Sequence, residues 1–446
     1  MTTPYHDIQR PQFHFTAKTG WLNDPNGLVF FKDEYHLFFQ HNPFDVKWGN
    51  MTWGHAVSRD MLHWRQLEHA LLPDALGTMF SGSAVVDREN TAGFGAGALV
   101  CVYTAAGGTS EESKDRPFTQ CLAYSTDGRT FTKYDGNPVL KQIVGGNRDP
   151  KVIWHETSRH WIMALFLDKN DFAFFASRNL KDWTHLQTMT VPDCAECPDF
   201  FPLAVDGDPA RIKWVWTAAN GRYLVGGFDG QRFVPDEPTA RPLAGEHYYA
   251  VQTFSDLPDG RRIQIPWHNG VDFPGMLFNQ QLGVPVELTL RTTASGLRLC
   301  ASPIREVESL RAWARSSEKT ELPPDIPFAI TGLESAGYDV NGEVTVGGAR
   351  RIEFGLCGIA LTWDRATQQI NGKMPMPARD GTIRFRALVD RASIELFAGD
   401  GEAIMVMGGP ARMDDRQVTV AACGGSAKLE QLQVFGLRSV WPTEEG

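Results

Sequence analysis

A chain of 446 residues, 42% hydrophobic and 22% charged, is long enough for two or three globular domains with a substantial core. Its formal charge of −10, with no block of Lys or Arg, argues against a nucleic-acid surface, and no run of about 18 apolar residues suggests a membrane span. Its 7 cysteines, odd in number and irregularly spaced, read as free thiols and not as a disulfide framework.

The first residues, Met1 to Asp7, carry neither the basic nor the apolar segment of a secretory signal. As written, the chain is expected in the cytoplasm, or outside the cell if a signal has been removed. From there on, helical periodicity is nearly absent, and short β-branched and aromatic runs alternate with clusters of Gly, Asn, Asp and Pro. The chain reads as all-β. Its 13 Trp and 27 Phe suit β cores and also suit sugar binding, because the apolar C–H faces of a sugar ring pack on aromatic rings.

Four segments resemble one another: Trp53–Asp60 leading to Trp64, Leu122–Gly128 to Phe131, Phe174–Asn179 to Trp183, and Leu224–Gly230 to Phe233. Each is an apolar strand, then a polar turn rich in Asp, Asn or Gly, then an aromatic placed to fold back on the strand. Their spacing of roughly 50 to 70 residues is that of a four-stranded propeller blade, and with the opening and closing strands it predicts five blades over about residues 11 to 305. In these turns Asp60, Asp127 and Asp229 are expected to cap their own backbone. His55 and His63 are expected in buried hydrogen bonds or on the surface, outside the chemistry.

After Ile304 the texture changes. Residues 305–313 read as a short helix that Pro323-Pro324 breaks, so residues 306–324 are expected to link a catalytic domain, 1–305, to a second domain, 325–446. Strands such as Arg384–Val389 and Ser393–Phe397 predict a β-sandwich there.

Three carboxylates sit in settings too elaborate for a surface charge. Asp24 lies between an apolar strand and a turn in Gly20-Trp21-Leu22-Asn23-Asp24-Pro25-Asn26-Gly27, and Asp149 lies in Asn147-Arg148-Asp149-Pro150 beside a guanidinium able to orient a carboxylate. Glu196, in Cys194-Ala195-Glu196-Cys197-Pro198, is flanked by thiols and Pro, with Phe200-Phe201 just beyond, which predicts a desolvated carboxyl suited to a general acid. Cys194 and Cys197 also have the spacing of half a zinc site, but no second CxxC or paired His follows, so no metal is expected at them.

Together and in this order these boxes resemble glycoside hydrolase family 32, the β-fructosidases, with Leu22 standing where the family usually has Met. Further stretches similar to that family are Phe38–Pro43, Trp48–Asn50, Phe80–Ser83, Tyr249–Phe254 and, near the C-terminus, Val389–Phe397, so the resemblance covers nearly the whole chain. It implies a five-bladed β-propeller followed by a β-sandwich, and a retaining, exo-acting mechanism without metal or organic cofactor. By the same resemblance Asp24 is the nucleophile, Glu196 the acid/base and Asp149 the acceptor that holds fructose hydroxyls. Trp21, Asn23, Gln40, Trp48, Phe80, Ser81, Arg148 and Trp267 become pocket contacts, although aromatics there also serve packing. At Glu246-His247, before Tyr248-Tyr249, the sequence departs from the acid the family often has, which puts a pocket role for that position in doubt.

The partner implied is a small or polymeric fructoside, with no nucleic acid and no membrane; the second domain is a candidate surface for self-association. Three other readings stand beside hydrolysis: a fructosyltransferase using the same double displacement, a non-catalytic sugar-binding propeller, and a five-bladed enzyme acting on arabinose or xylose polymers. Linkage preference, β(2→1) or β(2→6), is left open, because leaving-group contacts lie on loops.

Overall fold

The computed structural model describes residues 5, 7–409 and 414–441. Among the described residues the chain is made of short strands with almost no helix, and they fall into two domains.

In the first domain, β1 (Gly20–Phe31), β2 (Glu34–Asn42), β3 (Thr52–Ser58) and β4 (Arg65–Gln66) follow one another in a single antiparallel sheet. A second sheet holds β5 (Thr78–Asp87), β6 (Ala98–Ala106), β7 (Thr119–Ser125) and β8 (Thr132–Lys133), and a third holds β9 (Arg148–His155), β10 (His160–Asp168), β11 (Asp171–Ser177) and β12 (Thr184–Thr190). Next come β13 (Asp199–Val205), β14 (Asp208–Thr217), β15 (Arg222–Phe228) and β16 (Phe233–Pro235), with β17 (Arg241–Pro242) beside β15. The last unit, β18 (Tyr249–Thr253), β19 (Ile263–Trp267), β21 (Val286–Thr293) and β22 (Gly296–Pro303), joins the previous one through the single parallel pair Val205–Leu290. The short β20 (Phe278–Asn279) lies along β1.

The four repeated segments fall on β3, β7, β11 and β15, the third strand of each of four successive units. Each strand ends in the turn its sequence predicts. Asp60 Oδ1 accepts from the Leu62 and His63 amides, Asp127 Oδ1 from those of Arg129 and Thr130, Asn179 Oδ1 from those of Lys181 and Asp182, and Asp229 Oδ1 from those of Gln231 and Arg232. The aromatic folds back as expected: Trp64 Nε1 donates to the Met61 carbonyl and Trp183 Nε1 to that of Leu180. His55 is buried and paired with His36, while His63 bonds to Asp60 at the surface, so neither meets the three carboxylates.

Successive units pack through apolar faces. Phe38 and Trp53 of the first meet Met79 and Tyr103 of the second; Val100 and Val102 meet Trp161 and Met163 of the third; Phe172 and Phe174 meet Phe200 and Trp216 of the fourth. The first strands of all five units are tied to one another at the centre. Gly82 N donates to Asn26 Oδ1, Ser83 Oγ to the Pro150 carbonyl, Lys151 Nζ to the Thr253 carbonyl, the Thr253 amide to Asp199 Oδ2, and Gln252 Nε2 to the Gly82 carbonyl. These bonds satisfy polar groups that burial would otherwise strand.

The second domain is two sheets facing each other over one apolar core that includes Leu322, Val340, Phe354, Trp363, Ile394 and Val434. Its first strands correct an expectation. Residues 306–324, predicted as a linker, contain β23 (Arg311–Ser316) and β24 (Thr320–Leu322), both paired antiparallel with the last strand at Ala427–Leu437. The helix expected over 305–313 is only a 3-10 stretch, Arg305–Leu310, because the backbone turns extended at Arg311. In Arg311-Ala312-Trp313-Ala314 the half-buried positions, Arg311 and Trp313, alternate with exposed alanines, so burial has a period of two while hydrophobicity does not, and the sequence hides the strand.

The domains share an interface rooted in the segment before β1. Amides of Gln12 and Phe13 donate to the Asp390 carboxylate, the Val440 amide donates to the Gln12 carbonyl, and Trp441 Nε1 donates to the Pro11 carbonyl.

Candidate active site

Asp24 sits where β1 is irregular. Its pairing with β2 slips between Leu22 and Pro25 and again between Asn26 and Val29, so Asn23-Asp24 bulge out of the ladder opposite Gln40, and Gly27-Leu28 opposite Leu37. Pro25 has no amide to give, and Gly27 takes a φ of +53° with its α-carbon against the Phe38 ring, where a Cβ would come within 2.6 Å. The bulge frees the Asp24 carboxylate from the sheet. Ser81 Oγ donates to its Oδ2 at 2.5 Å and Asn23 Nδ2 to its Oδ1 at 2.9 Å, while Trp21 Nε1 holds the other end of the Asn23 amide at 2.9 Å.

Asp149 is the second residue of β9 and is 6% exposed. Its φ of +63° is left-handed, a strained conformation for a residue with a Cβ. Thr104 Oγ1 accepts from its amide at 3.0 Å, and the Cys197 amide donates to its Oδ2 at 3.0 Å. Glu196 and Cys197, in the loop before β13, are left-handed too, with φ of +57° and +39°. This consecutive pair turns the loop back, and Cys197 Sγ lies 3.6 Å from Asp24 Oδ2 and 3.6 Å from Asp149 Oδ2. One thiol therefore touches both aspartates, and the residue before it carries the third carboxylate.

Glu196 departs from its sequence expectation. Its side chain is 33% exposed, and polar donors hold it in place of an apolar enclosure: Arg148 Nη2 meets Oε1 at 2.6 Å and Tyr249 OH meets Oε2 at 2.6 Å. Arg148, adjacent to Asp149 in sequence, approaches that carboxylate only to 3.8 Å through Nε. The backbone is left-handed at Asp149 and β9 slips its pairing with β10 between Arg148 and Lys151, which parts the two side chains, and the guanidinium serves the glutamate instead. Stacking of Arg148 over Phe166, 4.7 Å from the ring centre, and a bond to the Gly146 carbonyl fix its orientation.

Burial and mutual repulsion set the charge balance. Burial raises the Asp24 carboxyl above its ordinary range; Ser81 and Asn23 pull it back, and the Glu196 charge pushes it further. Asp149 is pushed up to about 7, first by burial, against the pull of Arg148 and with help from Glu196 and Asp24. Burial and the Asp149 and Asp24 charges hold the Cys197 thiol well above its usual range, so it stays a neutral S–H donor. The Tyr249 hydroxyl is raised by burial and by Glu196 and likewise remains a donor.

The remaining sequence-predicted contacts surround this cluster. Gln40 is 2% exposed and stands opposite the bulge, between the pairs Pro25–Phe39 and Leu22–His41; its Nε2 is buried and has no partner among the described residues. Trp48, 56% exposed, meets the edge of Phe80 at 5.9 Å, and Phe80 precedes Ser81. Trp267 lies 6.3 Å from Trp21 and 6.3 Å from Tyr249, with Nε1 bound to Gln280 Oε1. Glu246 pairs instead with Lys373 of the second domain, away from the carboxylates.

Sequence reasoning missed Tyr249 and Cys197 as site residues. Both lie inside stretches it had quoted, but a Tyr beginning a strand and a Cys beside Pro carry no signal of whom they touch. Thr104, which holds the Asp149 backbone, lies at mid-strand with no motif around it.

Residues 14–303 match the family described as "Glycosyl hydrolases family 32 N-terminal domain", and residues 306–436 match "Glycosyl hydrolases family 32 C terminal". A levanase of Bacillus subtilis (strain 168) is 33% identical, over 98% of this chain and 72% of its own length. An extracellular exo-inulinase of Aspergillus niger is 29% identical over 98% of this chain and 96% of its own. Among solved structures, the exo-inulinase of Aspergillus awamori superposes with a TM-score of 0.86 at 27% identity, covering 98% of this chain and 100% of that one. A fructofuranosidase of Schwanniomyces occidentalis complexed with fructose gives a TM-score of 0.84 at 26% identity, over 98% of this chain and 100% of the other.

Proposed function

The chain belongs to glycosyl hydrolase family 32, and from that membership we propose that Asp24, Glu196 and Asp149 perform a retaining double displacement on a terminal β-fructofuranosyl unit. The protein is an exo-acting β-fructosidase, a hydrolase of fructans and sucrose. The observation that carries the residue assignment is the meeting of Asp24 and Asp149, from separate strands, on the Cys197 thiol 3.6 Å from each, with Glu196 the residue before it and gripped by Arg148 and Tyr249.

Asp24 attacks the anomeric carbon, an ester bond forms, and the bond to the leaving oxygen breaks as Glu196 delivers its proton. Glu196 then takes a proton from water, the hydroxide adds to the anomeric carbon, and the ester opens to free fructose and the Asp24 carboxylate. Retention calls for the two carboxyl groups about 5 to 5.5 Å apart, one on each side of the bond. Arg148 and Tyr249, bound to opposite oxygens of Glu196, aim it. Asp149, fixed by the Cys197 amide, accepts fructose hydroxyls, and this contact strengthens as positive charge develops on the ring.

The same reading takes the five four-stranded units of the first domain as the blades of a five-bladed propeller, with the carboxylates on its axis, and the two facing sheets of the second as a β-sandwich. Support comes from the centre, where the first strands of all five units are tied to one another.

The test is a panel of sucrose, 1-kestose, inulin and levan with chromatography of products over time, run beside Asp24→Ala and Glu196→Gln. Fructose released from the parent protein and loss of at least about 10³-fold in kcat for both variants are expected. Near-normal turnover in either variant would sink the assignment.

A further inference from the structure

Where the segment before β1, the end of β19 and the second domain meet, two histidines and a glutamate are gathered without any exposure to solvent. His14 comes from the N-terminal segment, His268 follows β19, and Glu395 lies on the strand Ser393–Ala398; each is 0% exposed. Their ligand atoms all lie within 4.8 Å of one another. Nothing in the double displacement uses them.

The arrangement has the features of a closed metal site. His14 Nε2 faces Glu395 Oε2 at 3.1 Å, and His268 Nε2 faces the other oxygen, Oε1, at 3.0 Å. Three ligand residues therefore converge, one imidazole nitrogen opposite each oxygen of the Glu395 carboxylate. A four-coordinate zinc about 2.0 to 2.2 Å from nitrogen and oxygen donors sets imidazole and oxygen roughly 3.3 Å apart, so ligation asks each pair to open by only a few tenths of an ångström.

The outer atoms are placed as metal ligands require. His14 Nδ1 binds Asp390 Oδ2 at 2.8 Å, the carboxylate–histidine arrangement that orients a ligating imidazole, and Asp390 is itself held by the amides of Gln12, Phe13 and Arg391. His268 Nδ1 sits 3.0 Å from the Gln281 amide, which also binds Ser393. Most telling is His268 Nε2: it is buried, and although Glu395 Oε1 is 3.0 Å away, it is out of hydrogen-bonding alignment and has no other partner among the described residues. A buried nitrogen whose one neighbouring acceptor is poorly aligned is under-satisfied, and a bound ion would complete it.

We propose that His14, His268 and Glu395 form a structural zinc site that clamps the two domains together. Two imidazoles and a carboxylate match zinc's preference for nitrogen and oxygen donors, and complete burial, which no substrate can reach, separates this from a catalytic centre. The ligands come from three distant parts of the chain, so the site exists only once the domains have closed, and its binding energy is expressed as stability of the folded pair. The competing reading is a proton-filled hydrogen-bonded lock that holds no metal.

The full chain, unfolded with chelator and refolded with excess zinc or without metal, distinguishes the two. Expected are about one zinc per chain retained through gel filtration, a Tm several degrees above the metal-free sample, and, with cobalt(II), the intense visible absorption of a four-coordinate ion. His268→Gln should weaken zinc retention at least tenfold and abolish that absorption. Less than about a tenth of a zinc per refolded parent chain with an unmoved Tm overturns the proposal, and this readout needs no variant to fold. A cobalt spectrum unchanged in a folded His268→Gln protein overturns it equally, since the metal would then lie elsewhere.

Discussion

Ser81 Oγ donates to Asp24 Oδ2 across 2.5 Å, reaching from the start of β5 into the bulge of β1. Burial raises the Asp24 carboxyl, and this hydroxyl is the first group that opposes the rise. A nucleophile must be ionised to attack, so the bond keeps Asp24 competent at lower pH. Removing it by Ser81→Ala forfeits a charge-assisted hydrogen bond of about 1.5 to 3 kcal/mol, which predicts a fall of roughly 10- to 100-fold in kcat/KM. The acid limb of the kcat/KM profile should move to higher pH, and an unmoved limb would show that Ser81 acts only on substrate.

Tyr249 and Arg148 grip opposite oxygens of Glu196, and each grip has its own signature. Tyr249→Phe keeps the ring against Trp267 and deletes only the hydroxyl, so kcat should fall about 10-fold with KM for sucrose little changed. Arg148→Lys loses the planar fork, the stack on Phe166 and the bond to the Gly146 carbonyl together, and a loss of about 10²-fold or more is expected. Steady-state kinetics on both variants decide the order; an Arg148→Lys variant with parent-like kcat would mean that the guanidinium adds nothing beyond its charge.

How far the sequence reveals this site depends on which relations are local. The three boxes and the strand–turn–aromatic repeats are local, and they land on the carboxylates and on β3, β7, β11 and β15. The partner of Arg148 is not local: adjacency points to Asp149, whereas the irregular backbone at the start of β9 leaves the guanidinium to Glu196, 48 residues on. The left-handed backbone at Asp149, Glu196 and Cys197 leaves no trace, because none is glycine and the surrounding contacts impose it. Likewise β23 hides in a stretch of helical texture, since its pairing with the last strand supplies what its own pattern lacks.

Asp149 makes the protein's stability depend on pH in a fixed direction. Its folded carboxyl sits at about 7, chiefly through burial, against roughly 4 for an unfolded aspartate. Below pH 4 both states are protonated and the residue contributes nothing. Between 4 and 7 the unfolded state ionises while the folded one does not, so stability is lost as pH rises, and the loss levels off above 7. Asp149→Asn cannot ionise and should exceed the parent in stability by on the order of 4 kcal/mol at pH 8, with little difference near pH 4, while losing activity. Urea melts at the two pH values measure the gap, and a gap that is the same at both would contradict the raised carboxyl.

The turn after β3 separates stability from chemistry. Asp60 Oδ1 accepts from two backbone amides and from Ser58 Oγ, and its Oδ2 binds His63, all at the outer end of the unit and away from the carboxylates. Asp60→Ala strands those donors at a partly exposed turn, where water replaces some of them, so a loss of about 1 to 2 kcal/mol is expected. Asn179→Ala, in the matching turn after β11, should lose a similar amount, because its Oδ1 accepts from the same two positions. The sites lie on different units and share no partner, so the double variant should show the sum of the single effects in a denaturant melt. Sucrose hydrolysis by each folded variant should match the parent protein; a fall in kcat at either turn would mean that the outer strands reach the site mechanically, through the strands that hold Asp24 and Asp149.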